Sequence, residues 1–501
     1  MLQTTPASPT LDGLFRRVLA RQPHALALAD PFDKLRVTGQ SPRQLTFAQA
    51  DRAIAALASH FIAAGLPPNS IIALQLPNTI ELPLTILAAH RAGLVVALLP
   101  QLWRHAELAV ALNRIGAGAI VSCAMIDGVS HADLAMNAAV EVFSIRHVCG
   151  FGASLPEGMI PLDDVIAHGE ILPSMPPPDA RQAAMISFDV TPQGLLPVPR
   201  THLGMIAGGL AVFLESGMPQ AACILSAQTM TSFAGVAAAL MGWLLSGGTL
   251  ALHHPFDDEV LERQITELEC DTLIAPATIA MQLDEDGAVS RLPMLRNVIG
   301  LWRAPEQVAA SAAWTATNVG FTDVYLFGEI GLFGARRLDD GLPAPIMPGP
   351  FGAPRDDAQS PIAGDIVLTP SGTLGLRGSM VPTSVYAAAA AALDMRSSVP
   401  AQNYVDTGYA ARLDRATGTI CITAPPPGLM AVGGYRFLAD DLHAWAKRLG
   451  EGAMLTALPD RVSGYRLAGR ANDNGRARAA LSELGLNPLM VEAFRERTAQ
   501  D

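Results

Sequence analysis

Helix and strand signals alternate over the first 125 residues, and that alternation leaves a chain like this few architectures other than a layered α/β domain. Thr46-Phe47-Ala48-Gln49 has the form of a capping box, in which the Thr hydroxyl and the Gln amide satisfy exposed N–H groups at a helix start. The spacing predicts a helix from Phe47 to about Ala64, stopped by Gly65, with Ile54, Leu57, Ala58, Phe61 and Ile62 on one apolar face. The Pro67-Pro68-Asn69 turn then feeds a strand, Ile71 to Leu76. A second capping signal, Asn78-Thr79-Ile80-Glu81, predicts a helix ending near Gly93, followed by a strand over Leu94 to Leu99, a helix over Glu107 to Ile115 and a strand over Ala119 to Ser122.

At 501 residues the chain is too long for one compact core, so at least two domains are expected. Proline-rich Pro173 to Pro178 separates the first region from a second α/β stretch, roughly Ala183 to Arg337. Gly341 to Gly364 reads as a surface connection into a more β-like segment, and Ala387 to Ala392 as a plain helix former. Pro425-Pro426-Pro427-Gly428 is the sharpest break, because three prolines fix φ, and it predicts domains of 1–427 and 428–501. Phe233 to Leu252 carries no charge over about a bilayer's span, but Ser246-Gly247-Gly248-Thr249 punctuates it. A buried helix (Val236 to Leu245), turn and strand (Thr249 to Leu252) are expected there, with no transmembrane segment.

The net charge of −12, without a dense run of Lys or Arg, argues against a nucleic-acid partner. Lysine occurs only at Lys34 and Lys447, which leaves two candidates for lysine-dependent chemistry. Five scattered cysteines without metal-ligand spacing, and an N-terminus without a secretory pattern, predict a reducing cytoplasm. No Gly-x-Ser-x-Gly elbow, His-Glu-x-x-His helix or Walker-type Gly-Lys-Ser is present, and His253-His254 reads as a solvated turn.

Leu45-Thr46-Phe47, Leu76-Pro77-Asn78 with Glu81, and Arg91-Ala92-Gly93 resemble the N-terminal pattern of the adenylate-forming (ANL) superfamily of AMP-dependent acyl-CoA and aryl-acid synthetases. The resemblance implies an α/β fold with a large layered N-terminal domain, including a small β-rich part, and a small C-terminal α+β domain. It also implies activation of a carboxylic, possibly aryl, acid with ATP and Mg, with CoA a possible acceptor.

The segment that resembles the family's phosphate loop is Ser187 to Pro197, identified by Val198-Pro199-Arg200-Thr201-His202 behind it. Thr191, Gly194 and Thr201 remain as candidate cofactor-binding residues, whereas Leu196 or Pro197 stands at the lysine position. Asp189 would repel a triphosphate and Pro192 removes a backbone donor, so a surface loop kept as scaffold is expected. Gly300 to Pro305 resembles the adenine-contacting stretch, with Trp302 and Arg303 where small residues are usual; Trp302 either stacks on a base or fills the pocket.

Tyr325-Leu326-Phe327-Gly328-Glu329 resembles the family's Tyr-Gly-x-Thr-Glu, which makes Tyr325 a cofactor-binding candidate and Glu329 the candidate catalytic and magnesium-binding carboxylate. Glu329 could equally be a structural carboxylate paired to Arg336 or Arg337. In Asp406-Thr407-Gly408-Tyr409, Tyr409 replaces the ribose-binding Asp, and Asp406 is a candidate offset by three residues. Gly433-Gly434-Tyr435-Arg436 matches a family turn, and the C-terminal catalytic lysine is absent. The resulting expectation is an acid-CoA ligase-like protein with its activity weakened or lost, in which Arg200 or Arg303 could take over phosphate neutralisation. The alternative is a non-catalytic protein that binds an acid, an acyl-CoA or a partner protein.

Overall fold

Thr46 opens helix Phe47–Ala63 through the predicted reciprocal cap: its hydroxyl accepts from Gln49 N–H at 3.3 Å, and the Gln49 amide oxygen accepts from Thr46 N–H at 2.8 Å. The chain is described here from a computed structural model covering residues 9–172, 178–192, 194–352, 363–391, 403–460 and 463–495. Most of the proline-rich 173–178 segment, part of the 341–364 connection, Gln193 and Ala392 lie outside the described residues.

The second capping signal works differently from its reading as a cap. Helix Glu81–Arg91 starts without a side-chain cap, because Asn78 and Glu81 are committed to tertiary contacts. Asn78 donates to the carbonyls of Ser226 and His253 at 2.9 and 3.2 Å, joining the first α/β region to the second. Glu81 instead accepts from Lys34 at 2.6 Å and from Arg43 at 2.7 Å. Lys34, fully buried, also reaches Asp30 at 2.9 Å, so this lysine is a structural counterion. The other lysine, Lys447, is exposed on helix Ala439–Arg448.

Two large sheets carry the body. One runs in the order Gly194–Thr201, Ala183–Thr191, Val95–Leu98, Ile71–Leu74, Ala119–Cys123, His147–Phe151, Ile160–Pro161. The other runs Gly331–Arg336, Gly320–Phe327, Asn297–Trp302, Thr272–Pro276, Cys223–Ser226, Thr249–Leu252, Leu26–Ala29, Gln44–Thr46. The central strands pair in parallel and are almost continuously apolar and buried, as strands covered by helices on both faces must be. A third sheet, Gly349–Phe351, Gly364–Leu368, Thr373–Arg377, Val405–Leu413 and Ile420–Ala424, forms the β-like segment.

Phe233–Leu252 folds back as predicted, through a helical run over Phe233–Ser246 with a π-helical centre at Val236–Leu240, then strand Thr249–Leu252. Gly209 lets this run pack tightly against helix His202–Ser216, since a Cβ there would lie 2.3 Å from Met241 Cβ. Among the described residues no helix is long and apolar enough to cross a membrane.

His90, on the helix after Glu81, lies buried with Nε2 2.9 Å from the Ala184 carbonyl and its ring 4.9 Å from that of His202. Burial pulls its pKa down to about 4, so it is neutral in the folded protein at pH 5 while the same side chain is protonated in the unfolded chain. The unfolded state binds the extra proton below the ordinary histidine value, so stability is full above about pH 6.5 and falls as pH drops towards 4. Urea unfolding at pH 7.5 and 5.0 should show His90 contributing about 2 kcal/mol of that loss, absent in His90→Gln.

Beyond the proline run, hairpin Leu429–Val432/Tyr435–Leu438, helix Ala439–Arg448, hairpin Met454–Asp460/Gly464–Arg470 and helices Asn474–Glu483 and Pro488–Glu492 follow. They share a separate apolar core that includes Val432, Leu442, Leu455, Leu467, Leu481 and Phe494. The result is a large layered α/β body with a smaller C-terminal α+β part.

Candidate functional site

The segment resembling the phosphate loop is a β-hairpin rather than a surface loop. Strands Ala183–Thr191 and Gly194–Thr201 pair antiparallel, with Asp189 opposite Leu196 and Phe188 opposite Pro197. Gly194 takes φ +94° at the turn, a conformation that favours glycine, and Thr191 Oγ1 donates to its carbonyl at 3.0 Å. Thr201 serves as a helix cap, accepting from Gly204 N–H at 3.0 Å. These backbone groups are spent on the hairpin and the cap.

Asp189 does not face a triphosphate. Its carboxylate, 3% exposed, pairs with Arg436 Nη1 at 2.9 Å and accepts from Tyr386 OH at 2.7 Å. Arg436, 15% exposed, comes from the C-terminal hairpin at the Gly-Gly-Tyr-Arg turn. Burial alone would lower the pKa of its guanidinium, but the charge of Asp189 and the neighbouring Tyr409 and Tyr386 hold it above the ordinary arginine value.

Two further departures in the sequence meet the same side chain. Gly328 has φ +59°, and a Cβ there would fall 2.1 Å from Arg436 Nη1, so the threonine usual in the family's motif would collide with the guanidinium. Tyr409 is buried edge-on to Phe327 at 5.3 Å between centroids, and its hydroxyl accepts from Arg436 Nη2 at 3.4 Å. Asp189, Gly328 and Tyr409 are thus mutually consistent around one guanidinium.

Glu329 lies next to this cluster with its carboxylate already engaged. Oε2 accepts from Phe233 N–H at 2.9 Å and stands 3.8 Å from Arg200 Nη1. The alternative pairing with Arg336 or Arg337 is not the one formed: Arg337 binds Asp323, and the Arg336 backbone N–H donates to Glu215. Burial raises the pKa of Glu329, with Arg200 acting in the opposite direction. Arg200 is itself buried, its guanidinium 3.8 Å from the Phe233 ring centroid and hydrogen bonded to the Glu329 and Met380 carbonyls, so it is not placed to neutralise phosphate.

Of the remaining candidates, Trp302 is buried and its indole N–H donates to Asp323 at 2.6 Å, which makes it a fixed wall. Tyr325 is buried and stacked on Phe333 at 4.4 Å. Asp406 is exposed and accepts from Thr373 Oγ1 and Gly408 N–H, both at 2.8 Å, while Tyr409 points inward. Arg303 donates to the Gly434 carbonyl at 2.9 Å. The fold therefore brings Glu329, Arg303 and Trp302 towards the C-terminal hairpin and leaves Thr191, Gly194, Thr201, Tyr325 and Asp406 in structural roles. His253, read as a solvated turn residue, is buried with Nδ1 2.7 Å from Gln264 Oε1, because the strand before it carries it inside.

The cavity bounded by Phe188, Asp189, Arg303, Glu329, Tyr435 and Arg436 measures about 110 Å³. Sites for ligands of drug size run to about 300–1,000 Å³. With a carboxylate at Asp189, a tyrosine at 409 and Arg436 paired to Asp189 in the cavity wall, the residues present do not fit ATP and Mg.

Sequence reasoning flagged Asp189, Gly328 and Tyr409 one by one, but it missed Arg436 and Tyr386. The available signal was charge: an unexpected Asp on one strand and an Arg in a distant Gly-Gly turn.

A model of the AMP-binding enzyme family matches residues 15–328. Medium-chain fatty-acid–CoA ligase of Escherichia coli (strain K12) is 27% identical over 178 residues, which is 35% of this chain and 31% of that protein, so the match spans about a third of the relative's length. Among solved structures, the amide bond synthetase McbA from Marinactinospora thermotolerans superposes with a TM-score of 0.71 at 18% identity, covering 95% of this chain and 94% of that one. MbtA from Mycobacterium smegmatis gives 0.65 at 20% identity, covering 95% and 88%. A double mutant of o-succinylbenzoate CoA synthetase (MenE) from Bacillus subtilis gives 0.69 at 15% identity, covering 95% and 92%. At these identities the superpositions establish the adenylate-forming fold, and the family match over more than half of the residues establishes that this chain belongs to the AMP-binding enzyme family.

Proposed function

We propose that this protein is an acid-CoA ligase-like member of the family in which ATP-dependent activation of a carboxylic acid is lost or greatly weakened, and which keeps a site for an acid or an acyl thioester. The observation that carries this reading is the Asp189–Arg436 ion pair, 2.9 Å long, standing inside the small cavity where the family resemblance puts the nucleotide. Losing even one transition-state contact typically costs about 10²–10³ in rate, and here the resemblance leaves several of the family's contacts without a match. Here the Arg436 guanidinium that lines this cavity is already neutralised by an internal carboxylate.

The domain boundary belongs to the same reading: we place 1–427 as the large domain and 428–501 as the small one, supported by the separate apolar core of the latter. Five cysteines without a disulfide among them support a cytoplasmic setting.

Calorimetric titration with ATP and Mg²⁺, followed by pyrophosphate exchange over a panel of aryl and medium-chain acids, tests the proposal. The expected result is no saturable ATP binding and no exchange above background. Tight ATP binding with exchange on any acid would mean that the hairpin withdraws in solution and that the enzyme is active.

A further inference from the structure

Cys223 and Cys270 lie with their sulfurs 3.5 Å apart, away from the cavity described above. Cys223 opens strand Cys223–Ser226, and that cavity lies beyond the other end of the strand, where Thr229 lines it. Cys270 stands just before strand Thr272–Pro276, the parallel neighbour of the first. The backbone between the two is pinned by Asp271: its carboxylate accepts from Cys223 N–H at 3.0 Å, and its own N–H donates to the Cys223 carbonyl at 3.0 Å. The Asp271 carbonyl accepts from Arg296 and Asn297 N–H at 2.8 and 3.0 Å, which ties the same turn to strand Asn297–Trp302. The meeting of the sulfurs is thus set by the starts of three adjacent strands.

The two thiols differ in access. Cys270 is fully buried, whereas Cys223 is half-buried, and its Sγ donates to the Leu268 carbonyl at 3.3 Å. Contact with Cys223, and then burial, push the Cys270 thiol well up, so it is held protonated until its neighbour changes. A disulfide bond is about 2.05 Å long, so the sulfurs have to close by about 1.5 Å, a movement on the scale of side-chain rotation. Cys123 and Cys149 give the contrast: both are buried, and on their paired strands Cys149 faces Val121 while Cys123 faces Phe151, two positions out of register.

We propose that Cys223 and Cys270 form an oxidant-sensitive dithiol, which hydrogen peroxide converts to a reversible intramolecular disulfide that staples the second sheet. The Cys223 thiolate attacks one peroxide oxygen; the O–O bond breaks, leaving a sulfenic acid and a hydroxide that takes up the proton first lost by the thiol. Cys270 then attacks the Cys223 sulfur. The S–S bond forms, the S–O bond breaks, and the oxygen departs as water with the Cys270 proton. Two thiols and one peroxide give one disulfide and two waters, the sulfurs losing the two electrons that oxygen gains. The bond closes a loop between residues 47 positions apart, which removes freedom from the unfolded chain and so raises the stability of the folded one. In the cytoplasmic setting proposed above such a bond is transient, formed by oxidant and removed by cellular thiols. The inference is independent of the acid-ligase reading.

The test is to treat the full chain with stoichiometric hydrogen peroxide, count free thiols after denaturation and map the linked peptides. Wild type should lose two of its five thiols, with the Cys223 and Cys270 peptides joined, and regain both with dithiothreitol. Its urea midpoint should rise on oxidation and return on reduction. Cys270→Ala should form no link and show no rise, and dimedone should trap its Cys223 as the sulfenic acid. Should Cys270→Ala fail to fold, the wild-type peptide map and Cys223→Ala carry the test.

Retention of all five thiols by wild type, a link between Cys123 and Cys149, or conversion of Cys223 to the sulfinic acid without a link would overturn the proposal. A Cys223–Cys270 disulfide that leaves the urea midpoint unchanged or lowers it would overturn its role as a staple.

Discussion

Arg436→Met is expected to lower stability by about 3–5 kcal/mol, the usual penalty for removing one partner of a buried ion pair. The Asp189 carboxylate, 3% exposed, would be left with the Tyr386 hydroxyl as its main side-chain donor. Part of the loss should appear as undocking of hairpin Leu429–Val432/Tyr435–Leu438, because Arg436 is one of its anchors into the body, with Tyr435 OH accepting from Leu102 N–H at 3.0 Å and Gly434 O accepting from Arg303 at 2.9 Å. Urea unfolding gives the magnitude, and amide hydrogen exchange over the hairpin gives the location. Combining Arg436→Met with Asp189→Asn should recover more than half of the loss, since the unpaired charge is then gone. A single-variant loss below about 1 kcal/mol, the scale of surface pairs, would mean that the pair is solvated and the hairpin loosely held.

Lys34→Met should be as damaging, by about 3–5 kcal/mol, for the same reason at a different place. Lys34 holds Asp30 and Glu81 together in the core at 2.9 and 2.6 Å, and without it two buried carboxylates face each other with only Arg43 between them and solvent. Glu81 is now pulled down to about 2, burial being outweighed by Lys34 and Arg43, whereas Asp30 is pushed up to about 6 by burial and by Glu81. In the variant Asp30 loses its cation and Glu81 keeps only Arg43, so the folded state takes up protons more readily than the unfolded chain. The deficit measured at pH 8 should therefore shrink as pH falls to 5. Lys447→Ala, on the exposed face of its helix, should stay within about 0.5 kcal/mol of wild type. Equal effects of the two substitutions would refute the structural role given to Lys34.

Local pattern carried much of the body. The Thr46–Gln49 box, helix Phe47–Ala63, strand Ala119–Cys123 and the fold-back of Phe233–Leu252 all follow from signals contained within a few residues, where capping chemistry and helical periodicity act. The same local reading failed at Glu81, because a carboxylate in capping position cannot be told from one that a lysine 47 residues away will claim. It failed again at His253, whose burial depends on the strands that surround it.

At the site, the family resemblance read in the sequence points to groups without a match: the loop lysine, the motif threonine at Gly328, the ribose carboxylate at Tyr409 and the C-terminal lysine. These absences are properties of single positions, so a one-dimensional comparison reveals them. What replaces those groups was decided by tertiary structure. Asp189 and Arg436 are 247 residues apart, and nothing in either neighbourhood announces the other. Cys223 and Cys270, scattered in the sequence, likewise come to 3.5 Å because strand Cys223–Ser226 pairs in parallel with Thr272–Pro276, which begins two residues after Cys270. Charge pairing and cavity shape depend on distances that only chain folding sets. The sequence therefore carried the family, while folding decided that the Asp189–Arg436 ion pair lines the cavity beside Glu329.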